Sequence, residues 1–81
     1  MKVVLLPQAQ EDLDAIAEPL FSKVVKRLQA LRRYPALGAA MSGPFSGYRS
    51  TLVNFYRIIY KQPTQDTILI AYIRHCRRDL S

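Results

Sequence analysis

The sequence predicts an α+β domain with the order β-α-α-β-β-β, a helical hairpin laid on one face of a small, mainly antiparallel sheet. Three observations carry this. Apolar residues recur at helical spacing between residues 9 and 31; residues 48–74 are rich in branched and aromatic side chains broken by turn residues; and a short apolar run opens the chain. With 81 residues, of which 49% are hydrophobic, the chain has room for a single core, and residues 1–81 are read as one domain.

The elements follow in order. Residues 2–6, KVVLL, form a short buried strand stopped by Pro7. From Gln8 the period changes, and Ala9, Leu13, Ile16, Ala17 and Leu20 make the stripe of an amphipathic helix. Pro7 suits its first position, and the acids that follow suit the positive end of its dipole. Pro19 pushes Glu18 out of helical geometry, so the helix breaks there. A second helix buries Phe21, Val24, Val25, Leu28 and Leu31 and turns Lys23, Lys26, Arg27, Arg32 and Arg33 outward, a face expected to be solvated. Tyr34-Pro35 ends it. The stretch ALGAAMSGPFSG, which holds all three glycines, reads as a loop. YRSTLV (48–53) and FYRIIYK (55–61) are strands separated by Asn54, which tolerates left-handed geometry; QPTQD (62–66) is a turn. TILIAYIR (67–74) is apolar on both faces and is expected at the centre of the sheet.

Charge narrows the function. The net charge is +6, and four of the six acids (Glu11, Asp12, Asp14, Glu18) fall in one eight-residue window. From Pro19 onward, eleven lysines and arginines face only Asp66 and Asp79. Such a field favours an anionic partner, either nucleic acid or an acidic protein. No apolar run approaches the ~20 residues that span a bilayer, so neither a membrane span nor a signal peptide is expected. The lone Cys76 allows no internal disulfide, which fits a cytoplasmic protein.

The end of the chain, RHCRRDL (74–80), concentrates cations with a histidine and a cysteine. A metal site needs three or four suitably spaced ligands, and His75 and Cys76 are the sole residues of their types, so neither metal nor cofactor is expected. Cys–His nucleophilic chemistry is disfavoured because adjacent residues on a strand point to opposite faces. There remain Arg74, Arg77 and Arg78 as phosphate or carboxylate contacts. His75 either carries a proton near neutral pH or ends the strand as a hydrogen-bonded structural residue. Arg57, in the middle of FYRIIY, either snorkels at a sheet edge or is held to meet an anion.

Taken together, GYR (47–49), YRIIY (56–60), a turn, an apolar strand and HCRRDL (75–80) resemble the RelE/ParE superfamily of bacterial toxins over essentially the whole chain. The resemblance implies the toxin of a type II toxin–antitoxin pair, neutralised by a small acidic antitoxin. RelE-like members cut mRNA in the ribosomal decoding site, the outcome expected first here. ParE-like members are not nucleases and poison DNA gyrase; a decayed, purely binding descendant is a third outcome. The resemblance places Arg49, Arg57 and Arg77 at family arginine or basic positions; Arg57, Arg77 and, on its own chemistry, His75 are the catalytic candidates, with Arg49, Arg74 and Arg78 as RNA or anion contacts. Thr51 stands where the RelE-like site has a second lysine, and the family's terminal tyrosine has no counterpart. Arg49, Arg57 and Arg77 are expected to converge in one concave basic cluster.

Overall fold

The structure, a computed structural model, describes residues 1–76. Strand β1 (Lys2–Leu5) leads through Leu6 into helix α1 (Pro7–Asp14), and helix α2 spans Leu20–Arg33. A two-residue strand β2 (Ala39–Ala40) and a 3-10 turn (Gly43–Phe45) precede strands β3 (Arg49–Val53), β4 (Tyr56–Thr64) and β5 (Thr67–His75). The sheet order is β1-β5-β4-β3-β2; β1 runs parallel to β5, and every other pair is antiparallel. The expected order is therefore present, with β5 central and with β2 added where a loop was expected.

Both helices lie on one face of the sheet. Leu13, Ile16, Val24, Leu28 and Leu31 pack with Val53, Ile58, Tyr60, Ile68, Ile70 and Ile73, and Leu20 packs against them partly buried. Each fully buried leucine or isoleucine contributes roughly 1.5–3 kcal/mol, so this one layer supplies most of the drive to fold.

Two boundaries and one helix end differ from expectation. Helix α1 stops at Asp14 rather than at Glu18. Ile16 N–H bonds to Leu13 O, a tightened last turn that still carries Ile16 into the core. The first turn of α1 holds no acid; instead the Gln8 and Gln10 amides donate to Asp12 and Asp14 one turn on. Strand β4 continues through Gln62 and Pro63, leaving Gln65-Asp66 as a short turn; Pro63 is exposed, a setting in which a missing N–H is tolerated.

The break between the helices is stabilised by Glu18. Its carboxylate accepts the Ser22 N–H at 3.0 Å and the Ser22 hydroxyl at 2.7 Å, satisfying a donor that the start of α2 would otherwise leave open. These two bonds, the hydroxyl bond first, lower the Glu18 pKa from its ordinary value of 4.5. At the other end of α2, the chain is pinned by Tyr60. Its buried hydroxyl donates to Pro35 O (2.7 Å) and accepts from Gly38 N–H (2.8 Å). Glycine is required at 38 because a Cβ there would stand 2.7 Å from Ser50 O.

Candidate target-binding face

Strand parity decides which candidate side chains meet. Opposed residues of an antiparallel pair share a face. Register pairs Arg49 with Tyr60, Thr51 with Ile58, and Val53 with Tyr56, so Arg49 lies on the helix-covered face. It is engaged there: Arg49 Nη1 donates to Gly38 O at 2.8 Å. Arg57 pairs with Leu52 on one side and Arg74 on the other, and both arginines stand exposed on the opposite face.

The expected convergence of Arg49 with Arg57 is thus corrected. Arg49 and Arg57 differ in parity, and Thr51 and Val53 commit the Arg49 side of β3 to the core. His75 pairs with Tyr56, so it too lies on the helix face, away from Arg57. Its ring meets Tyr56 edge-on at 5.1 Å and lies 6.0 Å from Phe55. Among the described residues, the buried His75 Nδ1 has no hydrogen-bond partner. The alternative of a hydrogen-bonded structural histidine is not met at this nitrogen. Arg77 and Arg78 lie outside the described residues, as does Asp79.

The away face has an apolar centre and a cationic rim. Ser50, Ile59 and Tyr72 form one cross-strand row; Leu52, Arg57 and Arg74 form the next. The loop before β3 folds over this centre, with Phe45 edge-on to Tyr48 at 5.9 Å and to Tyr72 at 6.3 Å, and Ile59 is left only 5% exposed. Lys61 Nζ sits 5.0 Å from the Tyr48 ring centroid, and the Arg74 guanidinium 4.3 Å from that of Tyr72. These cation–π contacts hold two charges in place at the cost of no acid, each worth about 0.5–1 kcal/mol at exposed sites. Leu52, half exposed, stands directly beside Arg57.

Sequence reasoning named Arg57 as a catalytic candidate and Arg74 as an anion contact but did not single out Phe45, Tyr48, Lys61 and Tyr72, which share their face. The signal was present in part: Arg57, Ile59 and Lys61 alternate, as do Tyr72 and Arg74. The loop residues carried no such period.

At the edge of the sheet, α1 covers β5 beyond the end of β1. Asp12 Oδ2 accepts the Ile73 N–H at 3.0 Å, closing a ladder group that β1 is too short to reach. Asp12, Gln8, Ile16, Tyr56 and His75 surround a cleft of about 320 Å³. Among the described residues, no three His, Cys, Asp or Glu side chains gather to hold a metal ion. None of the described helices is long and apolar enough to cross a membrane.

A helical hairpin on a five-stranded, mostly antiparallel sheet, with a cationic face left open, is the architecture of a small bacterial toxin fold. The profile of the family described as the ParE toxin of the type II toxin–antitoxin system parDE matches residues 3–80, and the chain belongs to that family. No curated protein matches the chain significantly. Among solved structures, the RelBE2 toxin–antitoxin complex from Mycobacterium tuberculosis is similar at 24% identity and a TM-score of 0.80, over 90% of this chain and 94% of that one. The YoeB–YefM complex from Staphylococcus aureus is similar at 22% identity and 0.76, over 91% and 94%. The chromosomal ParDE system from P. aeruginosa is similar at 19% identity and 0.75, over 93% and 95%. At these identities the likeness establishes the fold.

Proposed function

We propose that this toxin inhibits growth by binding its target through the away face of the sheet, in the ParE-like manner, with DNA gyrase as the target class and the cytoplasm as the place of action. The observation that carries this is the composition of that face. RNA cleavage by 2′-hydroxyl attack needs cations at the phosphate together with a proton acceptor and donor. Beside Arg57 stand Leu52 and Arg74, while His75 and Arg49 point to the other side of the sheet. An apolar, aromatic centre rimmed by arginine and lysine matches the anatomy of protein-binding surfaces instead.

The partner that silences the toxin is an acidic antitoxin. Complexes of this kind are what the similar solved structures contain, and a +6 chain gives such a partner electrostatic steering, so its on-rate falls as salt rises.

One observation favours the nuclease reading. Arg57 and Arg74 are cross-strand neighbours, and paired guanidinium forks can grip a phosphate, as RelE-like cleavage of ribosome-bound mRNA would require. A single sample decides, assayed for gyrase supercoiling and by primer extension on translated mRNA. Blocked supercoiling with intact mRNA is the expected result. Cleavage of translated mRNA overturns the proposal in favour of the nuclease. Neither effect, with unimpaired growth of an expressing host, identifies a toxin fold that has kept only its antitoxin-binding role.

A further inference from the structure

We propose that the outer face of α2 is a docking trough for duplex DNA, gripped through its phosphates without reading base sequence. This surface adjoins the away face of the sheet at Leu52, and the inference holds whichever target the toxin inhibits.

The trough is made of two depressions that share Lys26. One, of about 580 Å³, is bounded by Met1, Lys26, Arg32 and Arg33; the other, of about 320 Å³, by Lys23, Lys26, Arg27 and Asn54. Five cations line the pair, and among the described residues no carboxylate does. The cleft beside β5, by contrast, contains Asp12. Lys23, Lys26 and Arg33 share the solvent side of the helix and span about 15 Å at 1.5 Å per residue.

Among the described residues, the hydrogen bonds of this face reach no carboxylate. Arg27 Nη1 donates to the Thr51 hydroxyl, and Arg32 Nε donates to Met1 O at 3.1 Å. Both bonds are to neutral oxygens, so they orient the guanidinium and leave its charge intact. A guanidinium has five donors, so one such bond fixes it in place with others available to an anion. Three of the six acids are occupied with neutral donors elsewhere: Asp12 and Asp14 with glutamine amides, Glu18 with Ser22.

The lining also selects among anions. A protein partner is held by apolar and aromatic anchors at the centre of the contact. Here five of the lining residues are lysine or arginine, and the larger apolar ones, Met1, Tyr34, Leu52 and the buried Val53, are divided between the two depressions. A single strand is held by a row of stacking aromatics, and the trough offers Tyr34 alone. A line of cations with no reading groups suits the backbone of a duplex.

The test is fluorescence-anisotropy titration of the full chain with a labelled mixed-sequence DNA duplex, a matched single-stranded RNA, and poly-glutamate. Five phosphate contacts correspond to a log K against log salt slope of about −4.5, or roughly a 500-fold loss between 50 and 200 mM salt. The triple variant K23A/K26A/R33A is expected to reduce that slope by about 2.7 and to keep its thermal midpoint, since all three side chains are exposed. R57A/K61A/R74A removes the same charge from the other face and is expected to change duplex affinity less than about threefold. Equal losses in the two triple variants overturn the proposal, because binding would then follow net charge alone. So would tighter binding of the RNA or of poly-glutamate than of the duplex.

Discussion

The Arg57–Arg74 pair offers a measurable conflict between stability and function. Two arginines are paired directly opposite one another on adjacent strands. Opposed side chains have Cβ atoms about 4.5–5.5 Å apart, and like charges there destabilise the sheet by an amount in the range of roughly 0.2–1 kcal/mol. Coulomb's law agrees: two unit charges about 5.5 Å apart in water repel by about 0.75 kcal/mol. The substitution Arg57→Gln keeps the first two methylenes of the stem and a polar end while removing the charge. It is expected to raise the thermal midpoint by roughly 1–6 °C, using about 4–8 °C per kcal/mol for a domain of this size. The gain should vanish near 1 M salt, where the screening length is ~3 Å. Arg74→Gln should give little or no gain, because it also removes the contact with the Tyr72 ring, worth about as much as the repulsion relieved. Thermal melts of the three proteins at low and high salt are the assay. If Arg57→Gln proved destabilising at low salt, or if the two variants behaved alike, the cross-strand repulsion would be refuted. A more stable Arg57→Gln that has also lost growth inhibition would show why the pair is kept.

Further outcomes follow from the same structure. Tyr60→Phe leaves Pro35 O and Gly38 N–H without their partner, and urea denaturation should show a loss of about 1–3 kcal/mol. Gly38→Ala drives a methyl toward Ser50 O and the Tyr60 ring and should cost a further 1–3 kcal/mol or so in the same measurement. Asp12→Ala opens the Ile73 N–H and should speed hydrogen exchange at that amide selectively, with a stability loss of roughly 1.5–3 kcal/mol. Because the folded pKa of Glu18 is lowered, its contribution is complete above the ordinary value of 4.5 and disappears as pH falls through the lower folded value. Glu18→Gln should therefore lower stability at neutral pH and converge with the parent as pH falls, which flattens the acid limb of the stability curve.

Much of this molecule was legible in its sequence because local rules and tertiary packing agree. The stripe Val24, Leu28, Leu31 could only be a helix with one buried face, and it is. The unbroken apolar run of β5 demanded a central strand covered on both sides, and β5 sits between β1 and β4. Asn54, expected at a left-handed turn, has φ 54°. The cationic excess after Pro19 was equally plain, since charge is additive and needs no geometry. What the sequence could not decide was which arginines meet. Along β3, Arg49, Thr51 and Val53 alternate with Ser50 and Leu52, and either set could face the core on hydropathy alone. Register with Tyr60 and Ile58 resolves it, burying the threonine and exposing the leucine. That single parity separates Arg49 from Arg57 and leaves His75 on the helix face, away from Arg57. Side-chain direction in a sheet has a period of two, so a choice that costs little locally reverses every neighbour. It is made only when several strands close on one core.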